Sequence, residues 1–272
     1  MMAAGHGPLT EYDLLPDGPL RRLGRRVFLH ETIDSTNAFL LGRAEEAGDG
    51  AIAWAEFQTA GRGRLGRRWE APRGSSIMLS VLLHEAVDSP VVSLAALLGT
   101  LATCEAIDGT TDCSPSVRWP NDIVIKRRKL GGVLAESCPL GARRAVVIGI
   151  GLNCFQHPGH FGAELVAKAT SLERESAYPI NRAPVAARVL ARLDHWLTAG
   201  TQTAAGGTAL TAAWRDRCDD VGTRVTLEHD GRVFTGTVLD VSADGDLLVE
   251  LDRGGRRQFA AATTTRVWPE AG

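Results

Sequence analysis

The segment GRGRLGRRW (61–69) carries four arginines within seven positions, Arg62, Arg64, Arg67 and Arg68, and no acidic residue. Guanidinium groups form paired hydrogen bonds with phosphate and carboxylate oxygens, and the interleaved glycines let the backbone approach a ligand closely. The segment therefore indicates an anion-binding loop. The alternative is a basic loop that only faces solvent.

The glycines of this segment, Gly61, Gly63 and Gly66, match the pattern G-x-G-x-x-G. In a dinucleotide-binding fold this pattern opens a helix, and an acidic residue follows about twenty positions later. Here arginines fill the gaps between the glycines, and Trp69 and Pro72 keep the chain irregular. These features exclude a dinucleotide-binding turn.

A second group of candidate residues follows in one short region. Asn121 and Asp122 lie in a predicted turn, where the amide could hydrogen-bond a nucleoside and the carboxylate could bind Mg²⁺. Lys129 is one of only three lysines among 30 basic residues, and it precedes the pair Gly131-Gly132. A compact ammonium beside close-packing glycines suits an anionic ligand. A plain turn and a solvent-facing hairpin are the alternatives.

Polar residues also stand at the ends of predicted elements. Ser35, Thr36 and Asn37 lie at the start of a predicted helix, with Ser35 or Asp34 as its N-cap, while Gln58 and Asn153 each close a predicted strand. Such positions are typical of ligand sites at sheet edges, and equally of helix caps and loop starts. Only their combination with the two cationic segments points to a binding site.

Covalent and metal chemistry have no evident carrier in the sequence. There is no G-x-S-x-G elbow, no signature of a nucleophilic cysteine, and no H-x-x-x-H or C-x-x-C pair. The five cysteines are odd in number, which predicts reduced thiols in a cytoplasmic protein.

The candidate residues must be positioned by regular elements. Apolar runs of strand type predict strands at 26–30, 51–57, 75–83, 116–119, 122–125, 131–137 and 145–151. Helical spacing predicts helices at 34–50, 91–107, 183–199 and around 208–217. From residue 222 onward, two Asp-Gly pairs and one Gly-Gly pair separate short β-rich runs, typical of a small antiparallel barrel. We therefore predict a tail or short helix at 1–25, a main domain at 26–220 and a second domain at 221–272.

Composition excludes several classes of protein. The chain has 272 residues, 44% of them hydrophobic, and a formal net charge of −2, which excludes disordered chains and blanket phosphate binding. The longest apolar stretch, 91–102, is expected to be too short to span a bilayer, and no secretory signal is evident. The first 25 residues leave no room for a winged helix, so DNA is not an expected partner. Because the apolar stretch is expected to be too short, a membrane is not an expected partner either.

Five motifs occur in a specific order along the chain. They are DSTN at 34–37, Gln58 followed by GRGRLGRRW at 61–69, RWPNDI at 118–123, RKLGGVLAE at 128–136 and GIGLN at 149–153. Together they closely resemble the motifs of the biotin protein ligases. The resemblance covers roughly residues 28–268, because the C-terminal β-rich runs fit the SH3-like domain of that family.

The resemblance implies an α/β (α+β) catalytic domain with a mixed β-sheet, similar to class II aminoacyl-tRNA synthetases, followed by an SH3-like β-barrel. It implies a ligase that converts biotin and ATP, with Mg²⁺, into biotinyl-5′-AMP and pyrophosphate. The biotinyl group then passes to a lysine in the carrier domain of a biotin-dependent carboxylase. With no predicted winged helix, the chain resembles the non-repressor group of the family.

The resemblance also implies roles for the motif residues. Biotin would be bound by Ser35, Thr36, Asn37, Gln58, Gly61, Arg62, Arg64, Lys129, Gly131 and Gly132. ATP would be bound by Arg64, Arg67, Trp69, Asn121, Lys129 and Asn153, with Asp122 as the metal ligand. The catalytic residues would be Lys129, Arg64 and Arg67.

Two departures from the family pattern and two rival functions accompany this resemblance. Arg118 replaces the lysine of the familiar K-W-P-N-D, and Leu65 replaces an arginine of the loop. A lipoate or octanoate ligase or transferase of the same fold remains an alternative, although Gln58 and the arginines favour the polar ring of biotin. The other alternative is a non-enzymatic RNA-binding protein, which would need a broad basic face and aromatic side chains for stacking. The balanced charge and the presence of only two tyrosines and seven phenylalanines disfavour it.

Overall fold

The structure, a computed structural model, describes residues 8–15, 18–163, 165–200 and 204–267. Parts of the predicted N-terminal tail (1–7 and 16–17) and the end of the predicted second domain (268–272) lie outside the described residues.

A seven-stranded mixed sheet forms the centre of the main domain. Its strands are β1 (Val27–His30), β2 (Ile52–Ala55), β3 (Ser76–Ala86), β4 (Ser116–Arg118), β5 (Asp122–Ile125), β6 (Arg128–Leu140) and β7 (Arg143–Asn153). Their order is β1-β2-β3-β7-β6-β5-β4, and the pair β1 and β2 is parallel while the other neighbours are antiparallel. The predicted mixed sheet is confirmed, and each of the seven predicted strands is present.

Helices cover both faces of this sheet. They are α1 (Glu11–Leu14), α2 (Thr36–Gly42), α3 (Ala44–Ala47), α4 (Pro90–Thr110), α5 (Leu172–Glu175), α6 (Arg182–His195) and α7 (Ala204–Asp216). The long helix α4 packs between the sheet and α6, while α2 and α3 cover the opposite face with a smaller apolar cluster. Because both faces are covered, all four residues of β2, each of them apolar, are buried.

Helix α4 corrects the expectation about membrane spanning. Its 21 residues include an 18-residue segment with a mean hydropathy of 1.7, so it is long and apolar enough to cross a bilayer, and the expectation that this stretch is too short is wrong. In the fold it is a core helix, since 72% of this 18-residue segment is buried inside the protein. Gly99 permits this packing, because a Cβ atom there would lie 2.7 Å from Val133 Cγ1 and 2.9 Å from Ile148 Cγ2.

The single helix predicted over 34–50 is wrong, because two short helices replace it. Helix α2 ends at Gly42, and Arg43 has φ −124° and ψ 25°, outside the helical region. Ser35 is the N-cap of α2, as predicted. The break turns α3 against the sheet, where Ala44 and Ala47 are buried.

The C-terminal sheet is antiparallel and has five strands. They are β8 (Arg224–His229), β9 (Arg232–Val241), β10 (Leu247–Leu251), β11 (Arg256–Phe259) and β12 (Thr264–Arg266), in the order β11-β10-β9-β8-β12. The predicted Asp-Gly and Gly-Gly pairs form the turns. Asp230 and Gly231 both have positive φ (49° and 68°), as expected for a two-residue hairpin. A division of the chain near residue 220 stays a prediction.

Candidate functional site

A cavity of about 650 Å³ opens where strand ends, two loops and the C-terminal sheet meet. It brings together most of the residues that the sequence predicted from separate motifs, namely Ser35, Thr36, Asn37, Gln58, Arg62, Arg64, Arg67, Trp69, Asn121, Asp122, Lys129, Gly132 and Asn153. Gly61 and Gly131 are not part of its wall. The cationic and polar segments therefore converge on one shared space.

Lys129 lies at the start of β6, and its ammonium group reaches the cavity. The Lys129 Nζ atom is 2.5 Å from Asp122 Oδ1, so the two form a close ion pair. The backbone of Lys129 is fixed from both sides, because its N–H donates to the Lys168 carbonyl (2.7 Å) and its carbonyl accepts from the Thr170 N–H (2.8 Å). The ammonium is thus held on a rigid strand rather than on a flexible turn.

Arg64 connects the basic loop with two other walls of the cavity. Its Nη2 atom donates to the carbonyl oxygens of Ala261 and, at 3.2 Å, of Thr264, while its Nη1 atom is 3.5 Å from Asn121 Oδ1. Burial lowers the pKa of the Arg64 guanidinium; Asp122 opposes that shift. The guanidinium nevertheless stays charged at neutral pH.

A hydrogen-bonded network of small polar side chains forms the wall at the start of α2. The Gln58 Oε1 atom accepts from the Thr36 N–H (2.8 Å) and hydroxyl (3.1 Å), and the Ser80 hydroxyl lies 2.7 Å from Thr36 Oγ1. Asn37 donates to the Leu134 carbonyl and accepts from Ser80. Both polar atoms of the Asn37 amide are thus held by the protein.

The two other predicted asparagines are also held by backbone groups. Asn121 Nδ2 donates to the Val133 carbonyl (2.6 Å), which fixes the turn before β5. Asn153 Nδ2 donates to the Thr170 carbonyl (3.0 Å), and its Oδ1 accepts from Gln156 (3.0 Å). These amides shape the cavity wall through contacts to the chain.

Three glycines explain the local packing of the site. A Cβ atom at Gly151 would lie 2.7 Å from the Trp69 ring, so Gly151 gives the indole its place against β7. A Cβ at Gly61 would lie 2.4 Å from the Trp69 carbonyl oxygen, and one at Gly131 would lie 2.5 Å from the Gly151 carbonyl oxygen. Gly61 and Gly131 therefore allow close backbone approach at these two positions, and their implied roles in binding biotin stay a prediction.

Acidic groups at the site are few. Asp122 is paired with Lys129, and Glu136 lies 3.1 Å from Arg62 in a partly exposed ion pair. Within the described residues, no cluster of three or more histidine, cysteine, aspartate or glutamate side chains could hold a metal ion.

Arg118, the first departure from the family pattern, does not line the cavity. Its side chain is buried and donates to the Arg127 carbonyl (3.3 Å). Burial lowers the pKa of its guanidinium, as does repulsion from Arg266, while Asp220 opposes the shift. Leu65, the second departure, is mostly exposed at the cavity mouth with φ 53°, in the left-handed region.

Several cavity residues were not named individually by the sequence analysis. Phe161, Leu165 and Lys168 come from the segment between β7 and α5, and Thr265 and Arg266 come from β12. The rarity of lysine could have singled out Lys168, as it did Lys129. Nothing in the local sequence could have placed Thr265 and Arg266 at the same cavity as the turn 119–122, which is far from them in sequence.

Taken together, fold and cavity define a class of protein: an α/β small-molecule-binding domain completed by a C-terminal β-domain, with fixed cations suited to carboxylate and phosphate groups. Residues 29–153 match the Biotin/lipoate A/B protein ligase family, and residues 221–265 match the Biotin protein ligase C terminal domain. The cavity is formed largely within these two matched regions.

Similar proteins support this class. The biotin--[acetyl-CoA-carboxylase] ligase of Mycobacterium tuberculosis is 37% identical over 240 residues, which cover 84% of each chain. The bifunctional ligase/repressor BirA of Bacillus subtilis is 29% identical over 261 residues, 94% of this chain and 78% of that protein. The chain belongs to the biotin protein ligase family.

The fold similarity extends over nearly the whole chain. The biotin protein ligase of Aquifex aeolicus, solved in complex with biotin and ATP, has a TM-score of 0.75 at 24% sequence identity. The alignment covers 90% of this chain and 99% of that protein. The predicted fold, an α/β catalytic domain with an SH3-like C-terminal domain, is confirmed.

Proposed function

We propose that this protein is an ATP-dependent biotin protein ligase that forms biotinyl-5′-AMP and transfers the biotinyl group to a lysine of a carrier domain. The observation that carries the proposal is the convergence of Arg64, Asn121, Asp122 and Lys129 with the Gln58 network on one cavity. These groups come from separate segments, and together they offer cations and hydrogen-bond donors to two anionic molecules.

In the first step, a carboxylate oxygen of biotin attacks the α-phosphorus of ATP. The bond between that phosphorus and the oxygen bridging to the β-phosphate breaks, and pyrophosphate leaves. Both reactants are anions, so the reaction needs them held in line and needs their charge neutralised as pyrophosphate departs. Lys129 and Arg64 are the proposed catalytic cations, and Arg67 would contact the phosphates as the third.

The proposed binding residues divide the cavity into two parts. The wall containing Ser35, Thr36, Asn37 and Gln58 would hold the ureido ring of biotin. Support comes from Gln58, whose Oε1 accepts from Thr36 while its Nε2 donates to no described residue, which leaves a donor for a carbonyl oxygen.

The nucleotide would occupy the other part, beside Trp69, Asn121 and Asn153. The Trp69 indole Nε1 is buried with no hydrogen-bond partner among the described residues, and its ring lies against Gly151. Gly132 leaves room between Asp122 and the Lys129 side chain, since a Cβ there would lie 3.4 Å from Asp122 Oδ1 and 3.5 Å from Lys129 Cε.

Magnesium is implied by ATP as substrate. The donor set fits a Mg²⁺ ion that arrives with the nucleotide, because Mg²⁺ is commonly bound by one or two carboxylates together with substrate phosphates. Asp122 is the proposed protein ligand, with one oxygen held by Lys129. When bound, the ion would neutralise charge on the phosphates.

In the second step, the ε-amine of a carrier lysine attacks the carbonyl carbon of biotinyl-5′-AMP. An amide bond forms, the carbonyl carbon–oxygen bond to the phosphate breaks, AMP leaves and the amine releases a proton. The mixed anhydride reacts with water, so the site must exclude it. Loop residues between Arg62 and Trp69, together with residues 160–162 and Leu165, Lys168 and Ala169, line the cavity and would shield the anhydride.

The proposal is tested by incubating the full chain with biotin and MgATP and detecting biotinyl-5′-AMP by mass spectrometry. Parallel reactions with lipoate or octanoate test the related transferase or ligase, since the matched family model covers both biotin and lipoate. Adenylate formed with lipoate or octanoate, and none with biotin, would refute the assignment of substrate. A salt titration of RNA binding tests the third alternative, because many phosphate contacts give a steep slope.

Partner and compartment belong to the same proposal. The proposed acceptor is the biotin carboxyl carrier domain of a biotin-dependent carboxylase, supported by the name of the Mycobacterium tuberculosis relative. The five cysteines are free, which supports a cytoplasmic protein. The expectations that it binds neither DNA nor membrane stay predictions.

A further inference from the structure

The segment that connects the seven-stranded sheet with the C-terminal sheet runs alongside β4, the strand that leads into the turn 119–122. Residues 217–219 run along the edge strand β4, where the Val117 N–H donates to the Arg217 carbonyl (2.9 Å) and the Asp219 N–H donates to the Val117 carbonyl (3.0 Å). One residue further, the chain reaches Asp220, before β8 begins. The start of the C-terminal sheet is therefore fixed directly beside the turn formed by 119–122.

Asp220 is a buried carboxylate with two different partners. Its Oδ2 atom accepts from the Trp119 backbone N–H at 2.8 Å, and its Oδ1 atom forms an ion pair with Arg266 Nη1. The Asp220 side chain is 2% exposed and the Arg266 side chain 11%. A charge pair so well shielded from water is screened little by salt.

The same turn has a second anchor on the C-terminal sheet. The Trp119 indole Nε1 donates to the Gly245 carbonyl at 2.9 Å, and Trp119 is buried. Trp119 is thus held at its backbone by Asp220 and at its ring by the turn between β9 and β10. The next residues of the chain, Asn121 and Asp122, line the cavity.

We propose that Asp220 is a positioning residue, whose carboxylate holds the turn 119–122 and Arg266 in one arrangement and thereby sets the ATP-facing wall of the cavity. The proposal rests on the proposed function. Arg266 lines the same cavity, so the carboxylate positions two of its walls, one from each sheet. Asp220 itself does not line the cavity.

The chemistry of the carboxylate explains why this position needs an aspartate. Its two oxygens accept from Trp119 and Arg266 at the same time. Its negative charge also compensates Arg266, whose guanidinium group repels that of Arg118. In an asparagine one of these two oxygens is replaced by an NH2 group, which cannot accept from the donor it faces, and the neutral amide compensates neither cation. D220N therefore changes the contacts with little change of volume.

The experiment measures adenylate formation by the full chain as a function of ATP and of biotin separately. For D220N we expect the KM for ATP to rise about 10-fold, the scale of one lost charged hydrogen bond, while the KM for biotin changes less than about twofold. The matched control is D252N, which removes an ion pair with Arg224 on the same sheet at a residue that does not line the cavity. We expect both KM values of D252N within about twofold of the wild type.

A double-mutant cycle tests the route of the effect. If Asp220 acts on the ATP wall partly through Arg266, D220N introduced into R266Q should raise the KM for ATP by a smaller factor than in the wild type. Equal factors in both backgrounds would show that Arg266 is not part of the arrangement.

The outcomes separate this inference from the proposed function. A wild type that forms no biotinyl-5′-AMP contradicts the proposed function. An active wild type overturns the inference if D220N keeps both KM values, or if both rise equally together with a lower unfolding temperature. Should D220N fail to fold, D220E, which keeps the charge and both oxygens, replaces it: a selective rise in the KM for ATP supports the inference, and equal changes overturn it.

Discussion

Lys129 and Asp122 neutralise each other at 2.5 Å in the cavity, although both are assigned to an anionic ligand site. A ligand carboxylate or phosphate must compete with Asp122 for the ammonium, and it succeeds only if other cations, such as Arg64, compensate its charge. The ion pair with Asp122 keeps the Lys129 side chain ordered between turnovers. Ligand binding therefore does not have to supply the rotamer entropy that ordering a free lysine side chain would cost. The position of the ammonium, more than its mere presence, is therefore what the fold supplies.

We predict that Lys129→Gln lowers the rate of biotinyl-5′-AMP formation by about 10²–10³-fold, because a fixed charge that stabilises the departing phosphate is lost. The folded state should persist, with an unfolding midpoint within about 4 °C of the wild type, because the pair is partly exposed. Biotin-dependent exchange between ATP and pyrophosphate measures the first effect and circular dichroism the second.

The matched control is Lys126→Gln. Lys126 lies in the same hairpin, but its side chain is 74% exposed and its nearest charged partner is Glu175 at 3.3 Å. Its exchange activity should stay within about twofold of the wild type. Equal losses in the two variants would contradict the role of Lys129.

Cys154 provides a pH-dependent prediction at the residue scale. Burial raises the pKa of its thiol to about 12, so the folded state keeps the proton while the unfolded state releases it above about pH 9. The unfolded state then binds fewer protons, and the free energy of unfolding falls as pH rises from about 9 to 12, by about 1.4 kcal/mol per pH unit.

The measurement is urea unfolding of the wild type and of Cys154→Ala at several pH values from 8 to 10.5. We expect the slope of stability against pH to become shallower in the variant, whatever its stability at pH 8. Cys104, whose thiol pKa burial also raises, contributes to both proteins and cancels in the comparison. Parallel slopes would contradict the assignment.

At the scale of elements, the paired glycines of β6 have different functions. A Cβ at Gly131 meets the Gly151 carbonyl oxygen at 2.5 Å, so Gly131→Ala must push β6 and β7 apart and should cost about 1–3 kcal/mol of stability. A Cβ at Gly132 meets only ordinary contacts of 3.4 Å or more, but it takes space inside the cavity.

We therefore predict opposite patterns for the two variants. Gly131→Ala should lower the unfolding midpoint in urea, whereas Gly132→Ala should keep the midpoint and lose affinity for ATP and biotin. Urea titrations and calorimetric binding measure the two properties. A Gly132→Ala protein with unchanged affinities would show that this glycine serves the fold rather than the ligands.

Regular elements were predictable from sequence because burial imposes its own periodicity on strands and helices. The seven central strands and the C-terminal turns followed from apolar runs and from Asp-Gly pairs. The break after Gly42 was not predictable, because the packing of Ala44 and Ala47 against the sheet decides it. Likewise, Gly61 and Gly131 belong to motif strings, but the close backbone approach that each permits depends on tertiary packing that no local pattern encodes.

The cavity itself was predictable only as a combination. Motifs far apart in sequence indicated one site because each carried polar or cationic residues at the end of an element. The contributions of Arg266 and Lys168 depend on tertiary contacts, such as the ion pair of Asp220 with Arg266, that no local pattern encodes. Sequence thus specifies which residues are suited to chemistry, while topology decides which of them meet.

At the scale of the whole molecule, the cavity is bordered by three segments that lie far apart in sequence: the basic loop, the turn 119–122 and β12. Arg64 ties the basic loop to the C-terminal sheet through the carbonyl oxygens of Ala261 and Thr264. A ligand that contacts Arg64 orders the basic loop against the turn 119–122 and β12, and a second ligand then binds to a loop that has already lost this freedom.

We predict that biotin and the nucleotide bind cooperatively. The non-reacting analogue α,β-methylene-ATP should lower the Kd for biotin about fivefold or more, and biotin should lower the Kd for the analogue by the same factor, since coupling free energies are reciprocal. Titration calorimetry measures both factors, and amide hydrogen exchange of residues 61–74 should slow most when both ligands are present. A Kd for biotin that is unchanged by the analogue would mean that each ligand orders its own wall independently.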